Sequence, residues 1–116
     1  MHELVDVAPV DRISPGSALA VAIAGEKIAV FNVDGRLFAL DDACIRCGSS
    51  LAIGLIDGSS VECCGCGWRY DVRNGTVHGI PGLQCDTFEV AIVGTHVMID
   101  AVPIPHVAEA RGKAPA

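Results

Sequence analysis

Four of the six cysteines form two C-x2-C pairs, Cys44 with Cys47 and Cys63 with Cys66, and fifteen residues separate the pairs. Thiolates bind soft and borderline metals, and a short turn between two cysteines lets both sulfurs face the same side. Neither loop contains a histidine. The spacing therefore predicts a centre bound through sulfur, and the alternative is a set of small buried thiols that pack like other apolar side chains.

The elements that must position these sulfurs are predicted to be β-strands joined by tight turns. The dipeptide Asp34-Gly35 separates EKIAVFNV from RLFAL, and such a dipeptide accepts the positive φ of a hairpin turn. No window shows a sustained helical period with caps at both ends. The fold class is therefore predicted to be all-β, a small sandwich or partly open barrel. Three more hairpins are predicted: LAIGLID with VECC around Gly58, WRYDV with TVHGI around Asn74-Gly75, and TFEVAIV with HVMIDA around Gly94-Thr95.

The composition indicates one folded domain. Of the 116 residues, 51% are hydrophobic and 19% are charged, which suits a packed core rather than a disordered chain. The formal charge of -6 and the scattered basic residues argue against nucleic acid and favour a basic protein partner. The domain is predicted to span residues 1–102, and the proline-containing residues 103–116 are predicted to form an extended tail.

The chain is expected to be cytoplasmic. The apolar stretch ALAVAIAG is far shorter than the roughly 20 residues of a membrane span, and it is better interpreted as a strand. The first residues, MHELVDVAPVD, lack the basic and apolar segments of a secretory signal. Cytoplasmic thiols stay mostly reduced, which favours metal ligands or buried thiols over three disulfides.

In the cysteine loops and their surroundings the chain resembles the Rieske-type ferredoxins and Rieske domains. Their pattern runs C-x-H, about sixteen residues, then C-x2-H, commonly followed by G-W-x-[FY]-D, and GWRYD at 67–71 matches this ending. The hairpin AVFNVDGRLFALDD resembles the stretch before the first loop, and GIPGL at 79–83 stands where the family has its proline loop. The resemblance covers residues 3–100 and implies an all-β, Rieske-like fold. The four ligand positions of the family fall on Cys44, Arg46, Cys63 and Cys66.

The ligand positions depart from the family at two places. In the family two cysteines hold one iron of a [2Fe-2S] cluster and two histidines hold the other, whereas Arg46 and Cys66 stand in the histidine places here. A guanidinium has no lone pair for a metal, so Cys47 is the obvious fourth ligand. The expected cofactor is a [2Fe-2S] cluster, and the alternatives are a single Zn or Fe in the same site or an empty site. The expected ligands are Cys44, Cys47, Cys63 and Cys66.

Residues beside the centre are expected to shield and tune it. Trp68 and Tyr70 alternate along one strand and share a face, and the resemblance implies that Tyr70 hydrogen-bonds toward the centre. The resemblance also implies that Pro81 packs over it. Arg46 is expected either to offset the negative charge of the sulfurs or to point to solvent. If Cys47 is not a ligand, His78 is the next candidate.

Four other residues near the loops have simpler interpretations. Cys64 is flanked by the predicted ligands and is a competing thiol, and Cys85 is expected to be a buried thiol. Asp41 and Asp42 are expected to form a solvated acidic rim before the first loop. The alternative for this acidic pair is docking of a basic reductase.

The predicted function is electron transfer, with no catalysis by the chain itself. The sequence contains no G-x-S-x-G, phosphate-loop or H-E-x-x-H motif, and no nearby histidine would activate a cysteine nucleophile. The resemblance implies a one-electron carrier between a ferredoxin reductase and a terminal oxygenase of the aromatic-ring dioxygenase type. The alternative is a structural or regulatory subunit of the same fold with zinc or no metal, as in the small subunits of nitrite reductase.

Overall fold

Ten β-strands form three antiparallel sheets within residues 4–104, the part of the chain that the computed structural model describes. The predicted all-β class is confirmed, and no described helix is long and apolar enough to cross a bilayer. The strands are β1 (Leu4–Pro9), β2 (Ala18–Ile23), β3 (Glu26–Val33), β4 (Arg36–Asp41), β5 (Leu55–Asp57), β6 (Ser60–Glu62), β7 (Arg69–Asp71), β8 (Thr87–Phe88), β9 (Val90–Val93) and β10 (His96–Asp100). The first sheet has the order β1-β10-β9, the second β2-β3-β4-β8 and the third β5-β6-β7.

The second sheet lies between the other two sheets, and its strand β3 is therefore buried on both faces. Ile28 and Val30 belong to one core cluster, while Ala29 and Phe31 belong to another. Alternate residues of a strand point to opposite faces, so a strand covered on both sides requires an uninterrupted apolar run. Strand β3 therefore separates a core shared with the first sheet from a core shared with the third sheet and the cysteine loops.

All four predicted hairpins form, three of them between paired strands and the one around Asn74-Gly75 over a shorter length. At the turn between β3 and β4, Asp34 has φ +52° and Gly35 has φ +93°, and two consecutive positive φ angles are what a tight two-residue turn requires. Strands β5 and β6 pair around Gly58, and β9 and β10 pair around Gly94. The short strand β8 separates from β9 and pairs with β4 instead, which makes it the edge strand of the second sheet.

The hairpin predicted around Asn74-Gly75 forms over a short length. Strand β7 pairs with β6 on one side. On the other side Tyr70 bridges Val77, and the amides of Asp71 and His78 donate to the carbonyls of Thr76 and Arg69, both at 2.9 Å. The turn itself forms, because the amide of Gly75 donates to the carbonyl of Asp71 at 2.7 Å. The chain turns again at Gly79, whose φ is +83°, and this limits the returning segment to residues 76–78.

The two ends of the domain are tied to the sheets. Strand β1, for which no strand was predicted, pairs with β10 from Leu4 opposite Asp100 to Pro9 opposite His96. The amide of Ile104 donates to the carbonyl of Thr87 at 2.8 Å, two residues beyond the predicted domain end at 102. Most of the predicted tail, residues 105–116, lies outside the described residues, as do residues 1–3.

Candidate metal centre

The two cysteine loops turn in the same way. The amide of Gly48 donates to the carbonyl of Cys44 at 2.9 Å, and the amide of Gly67 donates to the carbonyl of Cys63 at 2.9 Å. Both glycines have positive φ angles, +79° and +83°, which residues with a Cβ rarely adopt. Each C-x2-C pair therefore ends in a glycine that closes the loop.

The sulfurs of the four predicted ligands meet between these loops. The Sγ atoms of Cys44 and Cys66 are 3.7 Å apart, those of Cys47 and Cys63 are 3.4 Å apart, and all four lie within 4.8 Å of one another. We call these four side chains the four-sulfur group. Within residues 4–104 no other group of three or more His, Cys, Asp or Glu side chains could hold a metal. The candidate metal site in the described part of the chain therefore consists of cysteine sulfurs alone.

Three residues that the sequence singled out stay outside the four-sulfur group. The side chain of His78 is exposed to solvent, and so is that of Cys64. Cys85 is buried in the core cluster that also contains Cys44. Burial raises the pKa of the Cys85 thiol to about 12, so this thiol keeps its proton at neutral pH.

The thiols of the four-sulfur group differ in acidity when no metal is bound. Hydrogen bonding with the side chain and the backbone of Ser49 lowers the pKa of Cys47 to about 6. Burial opposes ionisation of Cys44, but hydrogen bonds from Tyr70 and from loop amides outweigh it and lower the pKa of that thiol. Burial raises the pKa of Cys63 to about 12. A metal must therefore displace a firmly held proton from Cys63, which makes metal binding release protons.

Tyr70 connects the third sheet to the first cysteine loop. Its side chain is fully buried, and its hydroxyl oxygen lies 3.2 Å from Sγ of Cys44 and accepts the amide hydrogen of Ile45 at 2.9 Å. Burial raises the pKa of Tyr70, so the hydroxyl keeps a proton that it donates to the sulfur. This contact is what a tuning role for Tyr70 requires.

Replacement of Tyr70 by phenylalanine is expected to lower the reduction potential of the loaded centre. A hydrogen bond to a thiolate stabilises the more negative, reduced state. A bond worth about 1 kcal/mol corresponds to about 40 mV, at about 59 mV per tenfold change for one electron. Voltammetry of both proteins measures the shift, and thermal unfolding serves as the control for packing. An unchanged potential would show that this hydroxyl does not tune the centre.

Arg46 lies against the second loop. Its guanidinium carbon is 5.6 Å from the centre of the Trp68 ring, a distance at which a cation and an aromatic face attract each other. The Arg46 side chain is exposed, and Trp68 is half-buried against the core that contains Cys63. The contact joins the two cysteine loops on their solvent side and keeps a positive charge beside them.

The third loop, residues 79–83, covers the same core. Its apolar contacts are made by Ile80 and Leu83, which are half-buried and pack against the cluster that includes Cys44 and Cys63. Pro81 lies between them and is exposed. Shielding by Pro81 stays a prediction, whereas packing by its two neighbours is a feature of the structure.

Asp42 holds the base of the first loop, and the prediction of a solvated rim is wrong for this residue. The side chain is 3% exposed, and its carboxylate accepts hydrogen bonds from the Ser50 hydroxyl at 2.8 Å and from the Ala52 amide at 3.0 Å. Asp42 is thus unavailable for docking a reductase. The sequence contained no signal for this role, because the partners follow eight and ten residues later in the chain.

Replacement of Asp42 by alanine is expected to lower the free energy of unfolding by about 3 kcal/mol, because two partly buried donors lose their acceptor. Asp41→Ala is the matched control. The Asp41 carboxylate accepts only the exposed amide of Ala43, at 3.1 Å, among the described contacts, so its loss is expected to cost about 1 kcal/mol or less. Urea unfolding of both variants measures the difference. Equal effects would contradict the role assigned to Asp42.

The donor atoms of the four-sulfur group are those of an all-cysteine metal centre, which differs from the histidine-bearing one. Four thiolates are the ligands of ordinary [2Fe-2S] clusters and also of single tetrahedral zinc or iron ions. No histidine belongs to the group. Two thiolates in place of two neutral imidazoles add two negative charges, which favours the oxidised state and lowers the reduction potential.

Comparison with known proteins places the chain in a protein family. The model of the family described as "Rieske [2Fe-2S] domain" matches residues 3–103. The chain is 38% identical over 93 residues to the biphenyl dioxygenase ferredoxin subunit of Pseudomonas sp. (strain KKS102), a match that covers 78% of this chain and 85% of that protein. It is 31% identical over 97 residues to the ferredoxin component of the naphthalene 1,2-dioxygenase system of Pseudomonas aeruginosa, covering 83% and 93%.

Solved structures agree with these relatives. A chain in the complex of reduced oxygenase and oxidized ferredoxin in carbazole 1,9a-dioxygenase superposes with a TM-score of 0.82 and 25% identity, covering 89% of this chain and 97% of that one. The ferredoxin of Sphingomonas yanoikuyae B1 superposes with a TM-score of 0.78 and 28% identity, covering 86% of this chain and 100% of that one. The likeness therefore extends over nearly the whole described domain.

Proposed function

Since the chain belongs to the Rieske [2Fe-2S] domain family, we propose that it is the ferredoxin component of an aromatic-ring dioxygenase system. It carries single electrons from a ferredoxin reductase to a terminal oxygenase and does not act on the aromatic substrate itself. The observation that carries this proposal is the four-sulfur group at two adjacent loops, in a fold shared with ferredoxin components of such systems.

The proposed ligands are the members of the four-sulfur group, Cys44, Cys47, Cys63 and Cys66. The family implies a [2Fe-2S] cluster, and four thiolates suit such a cluster as donors. When bound, an iron–sulfur group supplies reversible transfer of one electron. The same sulfurs also suit a single iron ion, which undergoes one-electron chemistry, or a zinc ion, which does not.

The surroundings of the four-sulfur group separate a protected side from a side that a partner reaches. Tyr70 and Leu51 are fully buried in the core next to the sulfurs and keep water away from them. Cys47 and Ile45 face solvent, and Ile45 is 42% exposed. A partner protein that covers Ile45 and Cys47 comes close to the centre. Electron transfer to that partner needs no substrate pocket in this chain. Arg46, Trp68, Tyr70 and Pro81 are the residues proposed to shield and tune the centre.

The charge of the chain indicates the kind of surface that its partners present. A net charge of -6 favours encounters with basic surfaces and accelerates association at low ionic strength. Salt screens such attraction over about 8 Å at physiological ionic strength. Association with both the reductase and the oxygenase is therefore expected to slow as salt is added.

The test is reduction and reoxidation of the loaded protein. The expected result is a reversible one-electron wave in voltammetry, together with reduction by the reduced ferredoxin reductase of a biphenyl dioxygenase system and reoxidation by its oxygenase. A loaded protein without a reversible one-electron wave cannot carry electrons, and that result would refute the proposal.

A second candidate function, a structural subunit that binds zinc, is favoured by the geometry of the loops. Two C-x2-C turns that each close on a glycine are typical of structural zinc sites. Metal analysis separates the two functions, because zinc has no redox chemistry. A colourless protein with one tightly bound zinc per chain, which does not exchange for iron, would favour the structural role.

A further inference from the structure

We infer that the four-sulfur group holds a single iron ion in a tetrahedral site, instead of the two-iron cluster that its family implies. This inference rests on the proposed electron-carrier function, because electron transfer selects iron over zinc in a site that suits both. The number of metal ions follows separately, from the positions of the sulfurs.

The distances between the sulfurs match one metal ion. Four sulfurs bound tetrahedrally to one ion at about 2.3 Å stand about 3.8 Å apart along each edge. The Sγ atoms of Cys44 and Cys66 are 3.7 Å apart, those of Cys47 and Cys63 are 3.4 Å apart, and no pair exceeds 4.8 Å. Both short distances connect one loop to the other. The sulfurs therefore already lie close enough together to surround one ion that both loops share.

A two-iron cluster needs more space between its ligands. Each iron takes two cysteines, and the irons are joined by bridging sulfides, so sulfurs on different irons stand well beyond a tetrahedral edge. The four sulfurs can be divided into two pairs in three ways. In each division the two pairs lie within 4.8 Å of each other. This leaves no room between them for two irons and two sulfides.

The loops also approach each other too closely to enclose a larger group. A Cβ atom at Gly65 in the second loop would lie 2.9 Å from Sγ of Cys47 in the first loop and would overlap the side chain of Ser49. The absence of a side chain at Gly65 thus allows the loop tips to touch beside the sulfurs. A bridged cluster would require the loops to move apart at this contact.

The departure from the family at Arg46 fits the same geometry. In the first loop the second sulfur comes from Cys47, which follows Arg46, the residue in the place of the family's histidine. Gly48 comes next and closes the turn. The second loop repeats this arrangement with Cys66 and Gly67. The two loops would thus hold one iron ion through Cys44, Cys47, Cys63 and Cys66. An ion held there would supply one-electron transfer between its ferric and ferrous states, taking the electron from the reductase and passing it to the oxygenase, with no proton or atom transferred.

Reconstitution measures the number of irons directly. The full-length protein is stripped of metal and reloaded without oxygen in two arms, one with ferrous iron alone and one with ferrous iron and sulfide. The expected result in both arms is one iron per chain and no acid-labile sulfide. The oxidised protein is expected to give the EPR signal of a single high-spin ferric ion. The spins of two ferric ions in a cluster cancel, so an oxidised cluster gives none. Cys64→Ser is the matched control, and it is expected to bind the same amount of iron.

Each outcome separates this inference from the proposed function. Two irons and two sulfides per chain, with an EPR signal only after reduction, would overturn the single-iron site and leave the electron carrier in place. One iron per chain without a reversible one-electron wave would instead refute the electron carrier. Protein from iron-replete cells that holds zinc, and that takes up no iron in either arm, would overturn both.

Discussion

Replacement of Cys47 by serine is expected to lower the affinity of the four-sulfur group for iron by more than about 100-fold. Mutation of a residue that only hydrogen-bonds to a metal ligand already lowers metal affinity by about 10–100-fold. The Cys47 variant removes a metal–sulfur bond itself. A serine hydroxyl is a harder and far less acidic donor, so it does not replace the thiolate. Competition with a chelator, followed by iron absorption, measures the affinity of each protein.

Cys64→Ser is the matched control for the Cys47 variant. Cys64 is exposed, lies in the second loop and stands outside the four-sulfur group, so its loss is expected to leave iron binding unchanged. Equal affinities of the two variants would contradict the ligand role of Cys47. The exposed His78 would then be tested as the fourth ligand by the same competition, with His78→Ala.

Removal of the metal is expected to open the third sheet while the other two sheets stay folded. The strands of the third sheet are three residues long, and the core beneath them includes Cys44 and Cys63. A ligand at 1,000 times its dissociation constant stabilises the native state by about 4.1 kcal/mol. Amide hydrogen exchange in β5–β7 is therefore expected to accelerate by about 1,000-fold when the metal is removed.

The middle and first sheets provide the internal reference for this experiment. Their shared core contains Ile28, Val30, Val97 and Ile99 but none of the four cysteines of the group. Exchange in β3 and β10 is expected to change by less than about 10-fold. Exchange measured by mass spectrometry resolves these segments. Uniform acceleration over the whole domain would mean that the three sheets unfold as one unit, and no acceleration would mean that the metal does not stabilise the loops.

The proposed ligand set of this chain departs from that of the family, although the scaffold does not. The fold superposes on a family ferredoxin over nearly its full length, yet the described residues place only sulfur donors at the centre. Two thiolates in place of two imidazoles change the charge and the potential of the centre without a change of fold. A fold therefore indicates where electrons are exchanged, while the side chains at the loop tips decide with which metal and at which potential.

Much of the centre could be predicted from the sequence, because its signals are local. Each C-x2-C pair brings two sulfurs together within four residues, and the glycines at 48 and 67 close the turns on which the pairs depend. The hairpin at Asp34-Gly35 was predictable for the same reason, since the turn residues are adjacent. The all-β class and the convergence of the four sulfurs follow from such short-range patterns together with the resemblance to a family.

The tertiary structure alone decided the features that depend on residues far apart in the chain. The burial of Asp42, the pairing of β1 with β10 and the covering of the core by Ile80 and Leu83 leave no local pattern. The distances between sulfurs of different loops are set by how the third sheet packs on the second. For that reason the sequence determines which atoms can bind a metal, and the packing of the sheets determines how much metal fits between them.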